Sequence, residues 1–169
     1  MKMKKFLSSA ILLTLMATPL AFTSCGDDDP TEVIGNPETK LDVWIEPYHV
    51  NGANADAVKS YMAQSMKRYW LQSETSTASH IQLTYVTGKG NEGILYSFSS
   101  QDGALYSIID TEHATNNGLV IDYLKKHYKL VIADEANSQY SFTSQDKAVV
   151  INVVRVSGSY FNVEYTFVN

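Results

Sequence analysis

Phe161-Asn162-Val163-Glu164-Tyr165-Thr166-Phe167 decides how this chain is read. Apolar side chains stand at every second position, with polar ones between them. Successive side chains of an extended strand point to opposite faces, so this stretch is a strand with one dry face and one wet face. A sheet covered on one side only carries that pattern. Working back from it, further strands are predicted at 149–156, 140–143 and 130–133. Before these, Val120, Tyr123, Leu124 and His127 fall at i, i+3, i+4 and i+7, which predicts a helix over 117–128. Lys125 and Lys126 stand in its last turns, where cations suit the negative end of the helix dipole.

The preceding half has the same order. Asn54 is an N-cap residue, Asp56 lies in the first turn, and Val58, Tyr61, Met62 and Ser65 share one helical stripe. A strand over 69–75 follows, then Ile81, Leu83 and Tyr85 alternate with polar neighbours. Ile94, Tyr96 and Phe98 form the next alternating set, and Ala104, Tyr106 and Ile108 the one after, joined by the hairpin signal Gln101-Asp102-Gly103. In this phase Tyr85, Tyr96, Tyr106 and Tyr165 all face the core. A further short strand is predicted at Leu41, Val43 and Ile45, ended by Pro47, with a turn at Asn51-Gly52.

Val58…Tyr61-Met62 maps onto Val120…Tyr123-Leu124 at an offset of 62. A second self-match, Tyr96-Ser97-Phe98-Ser99-Ser100-Gln101-Asp102 against Tyr140-Ser141-Phe142-Thr143-Ser144-Gln145-Asp146, has an offset of 44 and reads as two similar hairpins. The expected fold is α+β: one curved antiparallel sheet of about eight strands with two helices on one face. It would be built from two α-β4 units, about 53–112 and 115–169, within a single domain over 42–169. The face away from the helices would carry Gln82, Thr84, Ser97, Ser107, Ser141, Asn152, Asn162, Glu164 and Thr166. Gln82, Thr84, Asn152, Asn162, Glu164 and Thr166 are the candidate ligand-binding residues on it.

The 169 residues hold 13 Lys+Arg against 18 Asp+Glu, a formal charge of −5, which argues against nucleic acid as a partner. One Cys rules out a disulfide framework and a Cys-based zinc cluster. Met1-Lys2-Met3-Lys4-Lys5 is a basic leader, and the apolar run from Phe6 to Phe22 is too short and too rich in Ser and Thr for a spanning helix. The layout is that of a secretory signal over 1–24. Phe22-Thr23-Ser24-Cys25-Gly26 then places the lone Cys directly after small residues and resembles a lipobox, where signal peptidase II cleaves before a Cys whose thiol is diacylated. An ordinary signal peptide with an incidental Cys is the other reading. Cys25 is thus the expected lipidation site and palmitate-type acyl chains the expected membrane contact. Cleavage removes three lysines and leaves the chain near −8, so acyl chains rather than charge would hold it to an anionic leaflet. Residues 25–41 carry two Pro and two Gly without apolar periodicity and read as an acidic, flexible tether about 20–25 Å long.

Gly26-Asp27-Asp28-Asp29-Pro30 resembles the surface-export signal of Bacteroidota-type lipoproteins; a solvated spacer is the alternative, and the two differ on which face of the outer membrane the domain occupies. Glu46-Pro47-Tyr48, Gly52-Ala53 and Val58-Lys59-Ser60-Tyr61-Met62 resemble the start of small Bacteroidota surface lipoproteins. The helix-plus-four-strand tandem is similar to the architecture of the β-lactamase inhibitor protein and of small outer-membrane assembly lipoproteins. That similarity implies a fold used for gripping other proteins and carries no residue across.

Gly88-Lys89-Gly90-Asn91-Glu92-Gly93 is a literal GxGxxG, but it precedes a strand rather than opening a helix, so it reads as a flexible hairpin loop and no cofactor is expected. Asp110-Thr111-Glu112-His113 offers carboxylates beside an imidazole, yet on a strand His113 would point away from the other two, and the segment reads as a polar loop before the second helix. His127 reads as a half-buried core histidine. No catalytic or metal-binding signature appears. The function expected is a non-catalytic interaction module, anchored at the outer membrane and displayed at the cell surface, meeting a protein or glycan partner with its exposed sheet face. The alternatives are a small glycan hydrolase using Glu46, Asp110 or Glu112, and a periplasm-facing assembly factor.

Overall fold

Asn54 starts the first helix by accepting a hydrogen bond from the Ala57 amide at 2.9 Å, satisfying a donor the first turn leaves free. In the computed structural model, which describes residues 40–168, this helix is α1 (Ala55–Ser65), and its buried residues are Val58 and Met62. Four strands follow: β1 (Trp70–Ser76), β2 (His80–Val86), β3 (Gly93–Ser99) and β4 (Leu105–His113). A 3-10 turn (Ala114–Asn116) leads into α2 (Asn117–His127). Then come β5 (Lys129–Asp134), β6 (Gln139–Thr143), β7 (Val149–Arg155) and β8 (Tyr160–Phe167). All pairings are antiparallel and form one open sheet in the order β1-β2-β3-β4-β8-β7-β6-β5. The α+β class and the eight strands agree with the expectation.

The stretch Phe161 to Phe167 lies at the centre. β8 pairs with β4 on one side and β7 on the other, and Phe161, Val163 and Tyr165 are 1%, 0% and 0% exposed. Fully burying such a side chain is worth about 1.5–3 kcal/mol. Their neighbours across the sheet, Ile108 on β4 and Ile151 and Val153 on β7, are equally buried, as are Leu83, Tyr85, Ile94, Tyr96 and Phe98 further out. Val58, Met62, Val120, Ile121 and Leu124 from the helices belong to the same core.

Three local expectations are corrected. No strand forms over 41–45; Trp44 is buried while Val43 and Ile45 are exposed, the reverse of the predicted phase. The segment is fastened by side chains instead: Leu41 N donates to Asn116 Oδ1 at 2.9 Å, Trp44 Nε1 to Asp110 Oδ2 at 3.1 Å, and Tyr48 N to the Tyr96 hydroxyl at 3.2 Å. Tyr106 does not face the core and is 47% exposed. Ser97 pairs with Ser107 but Phe98 pairs with Leu105, so Tyr106 is the extra residue of a bulge and the alternation shifts by one there. Finally, Asp110 to His113 is no loop but the end of β4, with Asp110 and Glu112 fully buried. His113 does point away from them, as expected, and its ring meets Tyr160 edge-on at 5.5 Å.

The GxGxxG segment is the β2–β3 hairpin loop, and packing accounts for its glycines. Gly90 adopts φ +56, and a Cβ there would come within 2.2 Å of the Tyr160 hydroxyl. At Gly93 a Cβ would lie 2.6 Å from the Tyr85 carbonyl oxygen, a backbone atom that cannot swing aside. Gly93→Ala is therefore expected to cost about 1–3 kcal/mol as an overpacking change. Urea unfolding measures it; an unchanged midpoint would show that the strands separate without cost.

Candidate functional site

Cross-strand partners share a face, so the register places each residue singled out in the sequence. Gln82 pairs with Ser97, Ser97 with Ser107, and Ser107 with Thr166. Thr84 pairs with Leu95, Leu95 with Ile109, Ile109 with Glu164, Glu164 with Asn152, and Asn152 with Ser141. Thr111 and Asn162 form a third row. All six candidate residues thus stand on one face, opposite the buried core positions. They are partly linked: Thr111 Oγ1 donates to Asn162 Oδ1 at 3.0 Å, and Asn162 Nδ2 donates to Glu164 Oε1 at 3.3 Å. Gln82 Nε2 reaches Ser97 Oγ at 3.4 Å. The face is less uniformly polar than expected, since Leu95, Ile109, Val150 and Val154 share it. Thr84, Leu95, Ile109 and Thr111 line a groove of about 400 Å³ there. The groove thus combines a small aliphatic floor with hydroxyl, amide and carboxylate groups at its sides.

Cys25, the predicted signal at 1–24 and the Asp27-Asp28-Asp29 run lie outside the described residues. Among the described residues no helix is long and apolar enough to cross a membrane.

Two further polar clusters come together on the core side. The first is built around Glu46, which sits on the segment leading to α1. Its Oε1 accepts from the Tyr128 hydroxyl at 2.6 Å and the Tyr165 hydroxyl at 3.1 Å, and its Oε2 from the Tyr123 hydroxyl at 3.1 Å. His49 Nε2 lies 3.0 Å from the Tyr128 hydroxyl. Burial raises all three phenols and the Glu46 charge adds to it, Tyr123 to about 12, so they remain hydrogen-bond donors at physiological pH. One carboxylate therefore ties the leading segment to α2 and β8. With Trp44, Tyr48, His49 and Tyr61 it lines a cavity of about 350 Å³.

The second cluster surrounds Arg68, in the link between α1 and β1. Its guanidinium is hydrogen-bonded to Glu112 and lies 3.5 Å from Glu92 Oε2. Glu92, Asp110 and Glu112 are 3%, 0% and 0% exposed, so three buried carboxyl groups share one cation. Tyr69 donates to Glu112 Oε1 at 3.0 Å, Trp44 Nε1 to Asp110 Oδ2, and Asn116 Nδ2 to Glu112 Oε2 at 3.4 Å. Glu92 Oε1 has no hydrogen-bond partner. Burial pushes Asp110 well above the usual carboxylate range, with the Glu112 charge adding to it. Burial likewise pushes Glu112 up to about 7, against the pull of Arg68. The group does not have the disposition of a metal site: no set of three or more His, Cys, Asp and Glu among the described residues could hold an ion.

Of the carboxylates named from sequence as possible acid/base groups, Asp110 and Glu112 therefore meet each other inside the protein, while Glu46 stands in the separate tyrosine cluster. Arg68, Glu92, Tyr128 and Tyr165 were not singled out as partners of these groups. They lie 24 to 119 positions away from the groups they bind, and no local spacing marks them. No family model, curated protein or solved structure matches this chain.

Proposed function

We propose that this protein is a lipid-anchored, non-catalytic binding module of the outer membrane, displayed at the cell surface and meeting a protein or glycan partner with the polar face of its sheet. The observation that supports this is the register, which gathers Gln82, Thr84, Asn152, Asn162, Glu164 and Thr166 from three strands onto one face around an aliphatic floor. The anchor is an acylated Cys25, and residues 25–41 are the spacer. We read the architecture as two α-β4 units, about 53–112 and 115–169, with both helices against the same side of the sheet and the binding side concave. The order α1-β1-β2-β3-β4 followed by α2-β5-β6-β7-β8, with β4 and β8 meeting in the middle, supports that division.

A pull-down from outer-membrane extract with the Cys25→Ser chain tests the reading. Alanine at Asn162, Glu164 and Thr166 is expected to weaken capture of the partner at least tenfold while changing stability by less than about 1 kcal/mol, the scale of partly exposed polar substitutions. Capture indifferent to all three substitutions refutes the sheet-face assignment. Protease shaving of intact cells is expected to remove the domain; a protected domain places it on the periplasmic side instead.

A further inference from the structure

The two edge strands of the sheet differ in chemistry. β1 has Glu74 near its middle, tied to Lys59 Nζ at 2.8 Å, with Gln72 and Ser73 beside it. Polar and charged groups at an edge discourage further strand pairing. β5 reads Lys129-Leu130-Val131-Ile132-Ala133-Asp134, with no proline and no charge between its ends. Leu130, Val131 and Ile132 are 38%, 57% and 59% exposed. Beside this edge opens a groove of about 720 Å³ lined by Leu130, Val131, Phe142, Val150 and Val168. An edge strand also leaves alternate backbone N–H and C=O groups without a strand partner.

We propose that the free edge of β5 pairs antiparallel with β5 of a second copy of this chain, so that two sheets join into one across a two-fold axis. The argument for a second copy is self-complementarity. In an antiparallel pairing centred between Val131 and Ile132, Lys129 faces Asp134 of the other copy, and this happens twice. Leu130 then faces Ala133, and Val131 faces Ile132, which places aliphatic contacts in the middle and ion pairs at both ends. A two-fold interface requires this reciprocity.

The faces of the strand permit the register. In a regular strand Lys129 and Asp134, an odd number of positions apart, would point to opposite faces, and opposed residues must share a face. β5 is not regular. Leu130 pairs with Phe142 but Ile132 pairs with Ser141, so Val131 is an extra residue and the alternation shifts there. Lys129 pairs with Thr143 and Asp134 with Gln139, which places both on the polar face. Leu130 and Ala133 pair with Phe142 and Tyr140, which places both on the core face. The bulge therefore lets the Lys129–Asp134 and Leu130–Ala133 pairs of the charge-matched register each lie on one side. Asp134 is also held in place: Asn137 donates to it from N at 3.2 Å and from Nδ2 at 2.8 Å.

The test is light scattering on the purified full chain, combined with zero-length carbodiimide coupling of a mixture of unlabelled and isotope-labelled protein. Within one copy Lys129 and Asp134 are five strand steps of about 3.3 Å apart, too far for direct coupling. A mixed-isotope Lys129–Asp134 peptide can only arise between copies. The expected result is a dimer that yields this peptide. Lys129→Glu is expected to weaken dimerisation about tenfold, since two exposed attractions become two repulsions. Lys129→Glu combined with Asp134→Lys is expected to restore it, and Val131→Lys to abolish it with circular dichroism unchanged. A monomer at all concentrations overturns the proposal. So does a dimer insensitive to Lys129→Glu and Val131→Lys. Coupling of Lys129 to Asp27, Asp28 or Asp29 within one chain also overturns it, and assigns the edge to the chain's own N-terminal segment.

Discussion

Arg68→Met is expected to remove about 3–5 kcal/mol of stability at pH 7.5, a large share of the 5–15 kcal/mol typical of a domain. Arg68 is the one cation within ion-pair distance of Glu92 and Glu112 among the described residues, and Asp110 lies in the same hydrogen-bonded group. Methionine keeps most of the stem's packing but leaves three buried carboxyl groups with no opposite charge. Their only relief is to bind protons, so the loss should shrink as the pH falls. Urea unfolding of wild type and Arg68→Met at pH 7.5 and pH 5 measures this. An equal loss at both values would show that Arg68 matters through packing alone.

The same cluster sets a pH dependence for the unmodified protein. Unfolded Asp and Glu ionise near pH 4. Folded Asp110 and Glu112 keep their protons to higher pH, Glu112 to about 7, because burial disfavours their charged forms. Between about pH 4.5 and 7 the folded chain therefore binds more protons than the unfolded one. Stability must fall as pH rises through that window. For Glu112 the shift corresponds to about 3 kcal/mol, or about 10 °C in melting temperature for a domain of this size. Asp102, Asp134 and Asp146 act in the opposite sense at lower pH. Hydrogen bonds, first from the Ser99, Asn137 and Ser144 side chains, hold them below the ordinary carboxylate range. Stability is thus expected to be greater on the acidic side of neutrality than above it.

Asp110→Asn provides the control. Asparagine can still accept from Trp44 Nε1, and its amide can donate to the Tyr69 hydroxyl, which lies 3.4 Å from Asp110 Oδ1. With one ionisable group removed, the variant should be at least as stable as wild type above pH 7 and should show a shallower slope. Thermal melts by circular dichroism from pH 4.5 to 8 decide the matter. A melting temperature that rises across this range would mean that the buried carboxyls are not the groups that titrate.

If the sheet face binds a partner and this cluster does not, the two can be separated by mutation. Asn162 and Glu164 are part of a half-exposed surface ladder, and their loss should appear in binding. Arg68 and Asp110 act inside, and their loss should appear in unfolding. The Glu46 cluster lies between these cases, since one carboxylate orders three phenols and also lines an open cavity.

The sequence by itself determined both helices and the eight strands, the bounds of every strand but β4 to within a residue or two, and the shared face of Gln82, Thr84, Asn152, Asn162, Glu164 and Thr166. These follow from period-2 and period-3.6 alternation, which is a property of local backbone geometry and needs no knowledge of distant residues. Only the tertiary structure decided that Tyr106 faces outward, because a bulge is set by the partner strand. Only it decided that the segment around Trp44 is a side-chain-fastened strap rather than a strand. Trp44 carries an indole N–H that must find an acceptor when buried, and Asp110, 66 positions away, supplies it. The same holds for Arg68 with its three carboxyl groups and for Glu46 with its three tyrosines: a buried polar group takes its partner from whatever the fold brings near, and no local spacing records that choice.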